Sequence, residues 1–249
     1  MAMKISAIIL EGGEFDKELY IKCLGCLTWT DEIIKINSDA SKKGFAYWRN
    51  LGAKKARGEW LLYVDTDEEV TNSLRKEIES IINNSEIKIN GYAIPRRNFI
   101  FGKEMKHCGL WPDCVLRLIR KDKLSGWEGE LHEQPKITGE IRHLKNPLIH
   151  HKHKTITEMV EKTNDWSEIE ARLMFEAHHP DMNIFRFFSA GLREFWQRMV
   201  IQTAFLDGLG GIIYALYQVF SRLISYSKLW ELQRKRSFDF AVKNARSNT

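Results

Sequence analysis

Five consecutive apolar residues, Trp60-Leu-Leu-Tyr-Val64, run straight into Asp65-Thr-Asp67-Glu-Glu69. A short, unbroken apolar run of aromatic and branched side chains bounded by helical periods reads as a buried strand. Those periods lie at residues 46–56 and 73–83, the second with an apolar face of Leu74, Ile78, Ile81 and Ile82. Residues 4–10 and 32–37 are further β-rich runs, separated by an amphipathic stretch around 19–27. The alternation predicts an α/β domain with a mostly parallel sheet flanked by helices. Ligands of open α/β sheets bind outside the carboxyl ends of the strands, so the placement of Asp65 and Asp67 is as informative as their identity.

Residues 91–95 and 114–119 read as strands joined by an aromatic, glycine-rich connection at 99–111 of the kind that often closes over sites. Residues 155–177 are helical and charged, and Pro180 breaks the pattern. Beyond it the chain changes character, with 11 of the 28 aromatic residues between Met182 and Trp230. The expected organisation is an α/β domain over 1–180, an amphipathic and apolar helical region over 181–233, and a basic tail over 234–249.

Composition, with 43% hydrophobic and 29% charged residues, excludes a mainly disordered chain. The net charge of +5 is local: residues 182–249 hold ten Lys and Arg against four Asp and Glu, leaving 28 basic against 29 acidic residues before them. A nucleic-acid binder would spread positive charge over its working face; here it accompanies the most apolar segment, as at a membrane surface. Cys23 and Cys26 could form half of a zinc site, but the spacing of Cys108 and Cys114 suits no common second half, so buried, reduced thiols are expected.

A strand ending in Asp-x-Asp presents both carboxylates on one face, because side chains alternate with period two. Hard divalent cations such as Mg²⁺ or Mn²⁺ take such oxygen ligands while phosphates complete the shell. Alone, the tripeptide reads equally well as a loop of solvated acids.

Its surroundings say more. Ala56-Arg-Gly-Glu-Trp-Leu-Leu-Tyr-Val-Asp-Thr-Asp-Glu-Glu-Val70 resembles the central signature of family 2 glycosyltransferases, in which such a run closes the nucleotide-sugar half of a GT-A fold. Further matches follow in order: Asp31-Glu-Ile-Ile34, Arg49-Asn50, Ile94-Pro-Arg-Arg-Asn98, Lys106-His-Cys-Gly-Leu-Trp-Pro-Asp113, Leu116-Arg-Leu118, Leu131-His-Glu133, Asn146-Pro-Leu-Ile-His150 and Phe205-Leu-Asp-Gly208. These resemble the branch that includes lipopolysaccharide-core β-1,4-glucosyltransferases, and the resemblance runs from about Lys4 to Glu231.

The resemblance implies a nucleotide-sugar site of Glu11, Asn37, Arg49, Asn50 and Asp65, and a divalent metal (Mg²⁺ or Mn²⁺) on Asp67 with Asp65 and His150. It implies acceptor contacts from Arg96, Arg97 and Trp111. Inverting transfer also needs a carboxylate to remove the acceptor hydroxyl proton; Glu133 is the expected base, with Asp113 and Glu130 as runners-up, against a reading in which all three are structural. His150 is weighed against a hydrogen-bonded structural role, and Arg96 and Arg97 against a solvated pair. His143, His151 and His153 have no family counterpart.

Two departures fall on the base pocket. Glu11-Gly-Gly-Glu14 stands where the family usually has Asn-Glu-Glu, and Asn37-Ser-Asp-Ala40 where it has Asp-Ser-Gly-Ser. Asn37 can accept from uracil through its oxygen or donate to cytosine through its nitrogen. The chain also lacks the helix and strand the family typically inserts between Ser41 and Arg49.

Residues 199–221 carry one charge, Asp207, and as a single helix would reach about 34 Å, nominally a bilayer span. Asp207 near the middle would cost about 3 kcal/mol, Gly208, Gly210 and Gly211 interrupt the run, and Arg193, Arg198, Arg222 and Lys228 flank it. An interfacial or re-entrant helical hairpin is therefore expected, weighed against a helix packed on the catalytic domain or in a homo-oligomer.

The expected function is an inverting GT-A glycosyltransferase taking a nucleotide-diphosphate sugar donor to a lipid-linked or lipopolysaccharide-core acceptor. The expected location is peripheral, at the cytoplasmic face of the inner membrane, with no nucleic-acid partner. A polyprenyl-phosphate sugar synthase and a catalytically silent binding or scaffold protein are the alternatives.

Overall fold

The computed structural model describes residues 3–13, 15–40, 43–84, 86, 88–130 and 133–247. Glu14, Leu131 and His132 of the motifs above lie outside the described residues. The chain divides into two compact units, Met1–Lys106 with Leu110–Lys152, and His107–Gly109 with His153–Thr249.

In the first unit β1 (Ile5–Glu11), β2 (Glu32–Asn37) and β3 (Trp60–Tyr63) pair in parallel, with β1 central. The helices that return the chain are α1 (Lys17–Gly25) and α2 (Phe45–Lys55). α1 starts where Asp16 accepts from the main-chain N–H groups of Glu18 and Leu19. Gly58 enables the entry into β3: a Cβ there would meet main-chain atoms of Ile5 and Ser6 at 2.8 and 2.7 Å. After β4 (Glu68–Val70), α3 (Asn72–Ile82) is capped by Thr71 and buries Leu74 and Ile78.

Beyond β3 the direction changes. β7 (Asp113–Arg120) pairs antiparallel to β3 and to β5 (Gly91–Ile100), and the sheet continues through β11 (Leu148–His153) to β4. β6 (Lys103–Met105) and β10 (Ile141–His143) add to β5. The sheet is thus mixed, with parallel pairing in its β2-β1-β3 part and between β10 and β5. A separate hairpin, β8 (Leu124–Glu128) with β9 (Gln134–Ile137), stands beside it. Ile5, Ile9, Leu62, Val64, Leu74, Ile94 and Leu148 fill the main core.

The second unit is helical. α4 (Ile156–Glu176) buries Met159, Thr163, Ser167 and Ala171 at intervals of four. It packs on α6 (Leu209–Ser247), where Arg222 and Ser225 each donate to Glu170 at 2.6 Å. α4 thus groups with the C-terminal helices, whereas the sequence pattern put the boundary near Pro180. α5 (Ile184–Phe195) also packs on α6.

The apolar stretch 199–221 is not one helix. A π-helical turn (Trp196–Ile201) and a 3-10 turn (Ala204–Asp207) precede α6, with Thr203 in the left-handed region between them. Asp207 is buried because it works as an anchor: its Oδ2 accepts the His107 N–H at 2.8 Å, and its Oδ1 lies 3.0 Å from His107 Nδ1. Among the described residues no helix is long and apolar enough to cross a membrane.

Candidate functional site

The carboxyl ends of β1, β2 and β3 carry Glu11, Asn37 and, just beyond, Asp65 and Asp67. Asp65 is clamped. Arg49 of α2 donates from Nη2 to its Oδ1 at 3.0 Å, and Arg117 of β7 donates from Nη2 to its Oδ2. Burial alone would raise the Asp65 pKa, but Arg117, Arg49 and Arg96 together hold it well below the usual carboxylate range.

The clamp extends both ways along the site. Arg49 also donates from Nε to Glu133 Oε1 at 3.0 Å, and its guanidinium lies 4.9 Å from the Trp127 ring centroid. Arg117 Nη2 donates to Glu68 Oε1 at 3.1 Å, and Arg96 Nη1 reaches the same oxygen at 3.3 Å. Arg96 then grips Asp113 Oδ2 through Nε at 3.0 Å and Nη2 at 2.7 Å. Burial would raise the Asp113 pKa, yet Arg96, the Asn98 amide and Lys152 bring it below its ordinary value.

Asn98 links this chain of charges to the second aspartate. Its Nδ2 donates to Leu110 O at 2.9 Å and Asp113 Oδ2 at 3.0 Å, so its Oδ1, 2.6 Å from His150 Nδ1, is the acceptor there. His150 therefore carries its proton on Nδ1, and its Nε2 faces Asp67 Oδ2 at 3.7 Å. Asp67 and His150 are the pair with donors to spare for a cation. Asp65, expected as a metal ligand, has both oxygens engaged by arginines. Among the described residues no group of three or more His, Cys, Asp or Glu side chains converges as a metal site.

The other expected residues are placed as follows. Asn50 gives both amide atoms to Trp127: Nδ2 donates to its carbonyl at 3.0 Å and Oδ1 accepts its N–H at 2.8 Å. Glu11 accepts from the Tyr20 hydroxyl and lies 3.9 Å from Lys35 Nζ. Asn37 Oδ1 accepts the Asp39 N–H at 2.9 Å, and Asp39 in turn holds the Gly13 N–H. Arg96 and Arg97 part because they are neighbours on a strand; Arg97 pairs with Glu104 at 2.6 and 2.9 Å. Trp111 is exposed. His151 binds Glu69 at 2.8 Å. Cys23, Cys26, Cys108 and Cys114 are free thiols, and burial pushes Cys108 up to about 11.

Three residues at the centre of the network, Arg117, Glu68 and Asn98, stand within the motifs quoted above but have no role assigned from the sequence. A signal for Arg117 was present, since a guanidinium inside the apolar run Val115-Leu-Arg-Leu-Ile119 needs a buried partner.

No family model matches the chain. Among solved structures it is similar to S. aureus TarS, with 14% identity and a TM-score of 0.41 over 92% of this chain and 55% of that one, so it spans little more than half that protein. Residues 1–349 of TarS in complex with UDP-GlcNAc give 14% identity and a TM-score of 0.40, covering 94% and 92%. A glycosyltransferase involved in the glycosylation of the major capsid of PBCV-1 gives 14% and 0.36 over 59% of this chain and 93% of that one.

Proposed function

We propose that the chain is an inverting GT-A glycosyltransferase that moves a sugar, a hexose such as glucose, from a nucleoside-diphosphate donor to a lipid-linked or lipopolysaccharide-core saccharide. The observation that carries this reading is the pair of acids at the end of β3, one fixed by two arginines and the next facing a histidine whose tautomer is set. Each clamped Asp65 oxygen keeps a lone pair for a ribose hydroxyl.

Asp67 and His150 are the residues that fit a divalent cation. His150 Nε2 and Asp67 Oδ2 face each other at 3.7 Å, a separation that one cation bound to both would bridge. When bound with the donor phosphates, Mg²⁺ or Mn²⁺ supplies neutralisation of the charge on the leaving diphosphate. Glu133 is held on one oxygen by Arg49, and its Oε2 has no partner among the described residues; in this reading Oε2 takes the acceptor hydroxyl proton. Asp113, with its lowered pKa and three donors on Oδ2, is the poorer base. The acceptor class implies work at the cytoplasmic face of the inner membrane.

One observation favours a silent binding protein instead. Glu11 and Asn37, expected to read the base, are engaged by Tyr20 and by the Asp39 main chain. Titration calorimetry of UDP in Mn²⁺ tests the main reading, with UDP binding at least about tenfold weaker in Asp67→Ala than in the native chain. Equal affinities would remove the assignment of Asp67, and binding without turnover of any UDP, CDP, GDP or TDP sugar would favour the silent protein.

A further inference from the structure

α5 packs in reverse. The residues it buries are small, Ala190 and Gly191, and a Cβ on Gly191 would meet Leu223 of α6 at 3.2 Å. Its large residues point outward: Phe185 is 82% exposed, Phe188 68% and Leu192 68%, with Ile184 and Phe195 also exposed. At about 100° per residue these five occupy roughly a third of the helix circumference. Ser189 comes next around the helix, and Arg193 and Arg186 follow about 80° and 100° beyond the arc's edge, all three exposed. Arg193 forms no ion pair among the described residues, and the Arg186 guanidinium donates to the Asp181 carbonyl at 3.0 Å, not to an acid. The two arginines line a recess of about 330 Å³ together with Ser189, His179 and Tyr226. The start of α6 adds a second outward row, Leu209, Ile213, Leu216 and Phe220, at helical spacing.

We propose that this face of the helical unit docks on an anionic lipid bilayer, with the α5 rings and aliphatic chains at the acyl boundary and Arg186 and Arg193 on headgroup phosphates. An apolar arc with guanidiniums without acid partners farther up one side of the same helix matches a surface that is apolar below and negatively charged above. A purely apolar partner would leave both guanidiniums without counter-charge. The attachment is peripheral, because no described helix is long and apolar enough to cross. The inference goes beyond glycosyl transfer and stands without it.

Flotation of the full chain with vesicles of phosphatidylcholine, alone or mixed with phosphatidylglycerol, tests it. The native chain should float with the mixed vesicles. Phe185→Ser/Phe188→Ser/Leu192→Ser, all at exposed positions, should lower partitioning by about tenfold or more. Arg186→Glu/Arg193→Glu should lower it at least about fivefold per arginine on mixed vesicles and leave any binding to neutral ones unchanged. Circular dichroism and melting temperatures matching the native chain keep the comparison valid. The proposal is overturned if the native chain does not float, or if folded variants float as well as it does. It is also overturned if the apolar variant converts a vesicle-indifferent dimer into a monomer, since a second copy would then cover the face.

Discussion

Asp65 and Glu133 share one guanidinium: Arg49 donates through Nη2 to the first and through Nε to the second, each at 3.0 Å. The proposed donor-side carboxylate and the proposed base are therefore fixed relative to each other by a side chain that is itself buried.

Glu133→Gln keeps an oxygen for Arg49 Nε but removes the ability to take a proton. The expected outcome is a fall in kcat of roughly a hundred- to ten-thousand-fold, with the UDP dissociation constant changed less than about threefold. Steady-state kinetics with a radiolabelled donor, beside calorimetry, reads both. Wild-type turnover would shift the role to Asp113 or Glu130, and normal turnover in all three variants would remove the base from this region.

Arg117→Met should be severe, because Glu68 is fully buried and would keep one of its two guanidiniums, Arg96, beside the Asp65 N–H on its other oxygen. Loss of one partner from a buried charge network costs about 3–5 kcal/mol, read by urea denaturation at pH 7. The pH dependence follows from Asp65 and Asp113, both lowered in the folded chain. Their contribution is complete above the ordinary carboxylate pKa of about 4 and is lost as pH falls from there through the lowered native values. The native chain should thus lose melting temperature steeply below about pH 4, and the variant, with Asp65 less depressed, should show a shallower acid limb.

Much of the fold could be read along the chain. The apolar run ending at Val64, the α3 face and the expected helix at 155–177 correspond to β3, α3 and α4 with boundaries within a few residues. The sheet beyond β3 was less legible, since β4, β6 and β10 have three residues each, too few for periodicity to register. Strand alternation hides contacts as well: adjacent Arg96 and Arg97 give one arginine to the buried network and the other to Glu104. Within the apolar stretch 199–221, composition suggested a hairpin, but the left-handed Thr203 and the anchoring of Asp207 by His107 are tertiary features that no local pattern encodes.

Asn50 separates a positioning role from a ligand contact. Both its amide atoms hold the Trp127 backbone, and Gly126, at φ 149°, brings a backbone position where a Cβ would lie 3.3 Å from Asn50 Oδ1. Asn50→Ala leaves the Trp127 N–H and carbonyl without those partners, at a cost of about 1–3 kcal/mol. Nucleotide affinity should change less than about threefold at a temperature where the variant stays folded. A tenfold loss of affinity with unchanged stability would make Asn50 a ligand contact instead.

Gly211 offers a test of the turn that interrupts the apolar segment. Replacing a glycine near the start of an exposed helix by alanine ordinarily stabilises it, by up to about 1 kcal/mol. Here the added Cβ would lie 2.0 Å from the Ala204 carbonyl oxygen and 2.8 Å from the Asp207 Cβ, so the 3-10 turn would have to move. Movement of that turn pulls Asp207 from the His107 N–H and ring, leaving a buried carboxylate short of donors. Gly211→Ala should therefore destabilise the chain by more than about 2 kcal/mol, and Asp207→Ala by a similar amount. Because both changes break the same contact, the double variant should cost much less than the sum of the two, a non-additivity that urea denaturation of all four proteins would measure. A stabilised Gly211→Ala protein would mean that residues 199–221 relax into a continuous helix at no cost and that Asp207 does not hold the turn.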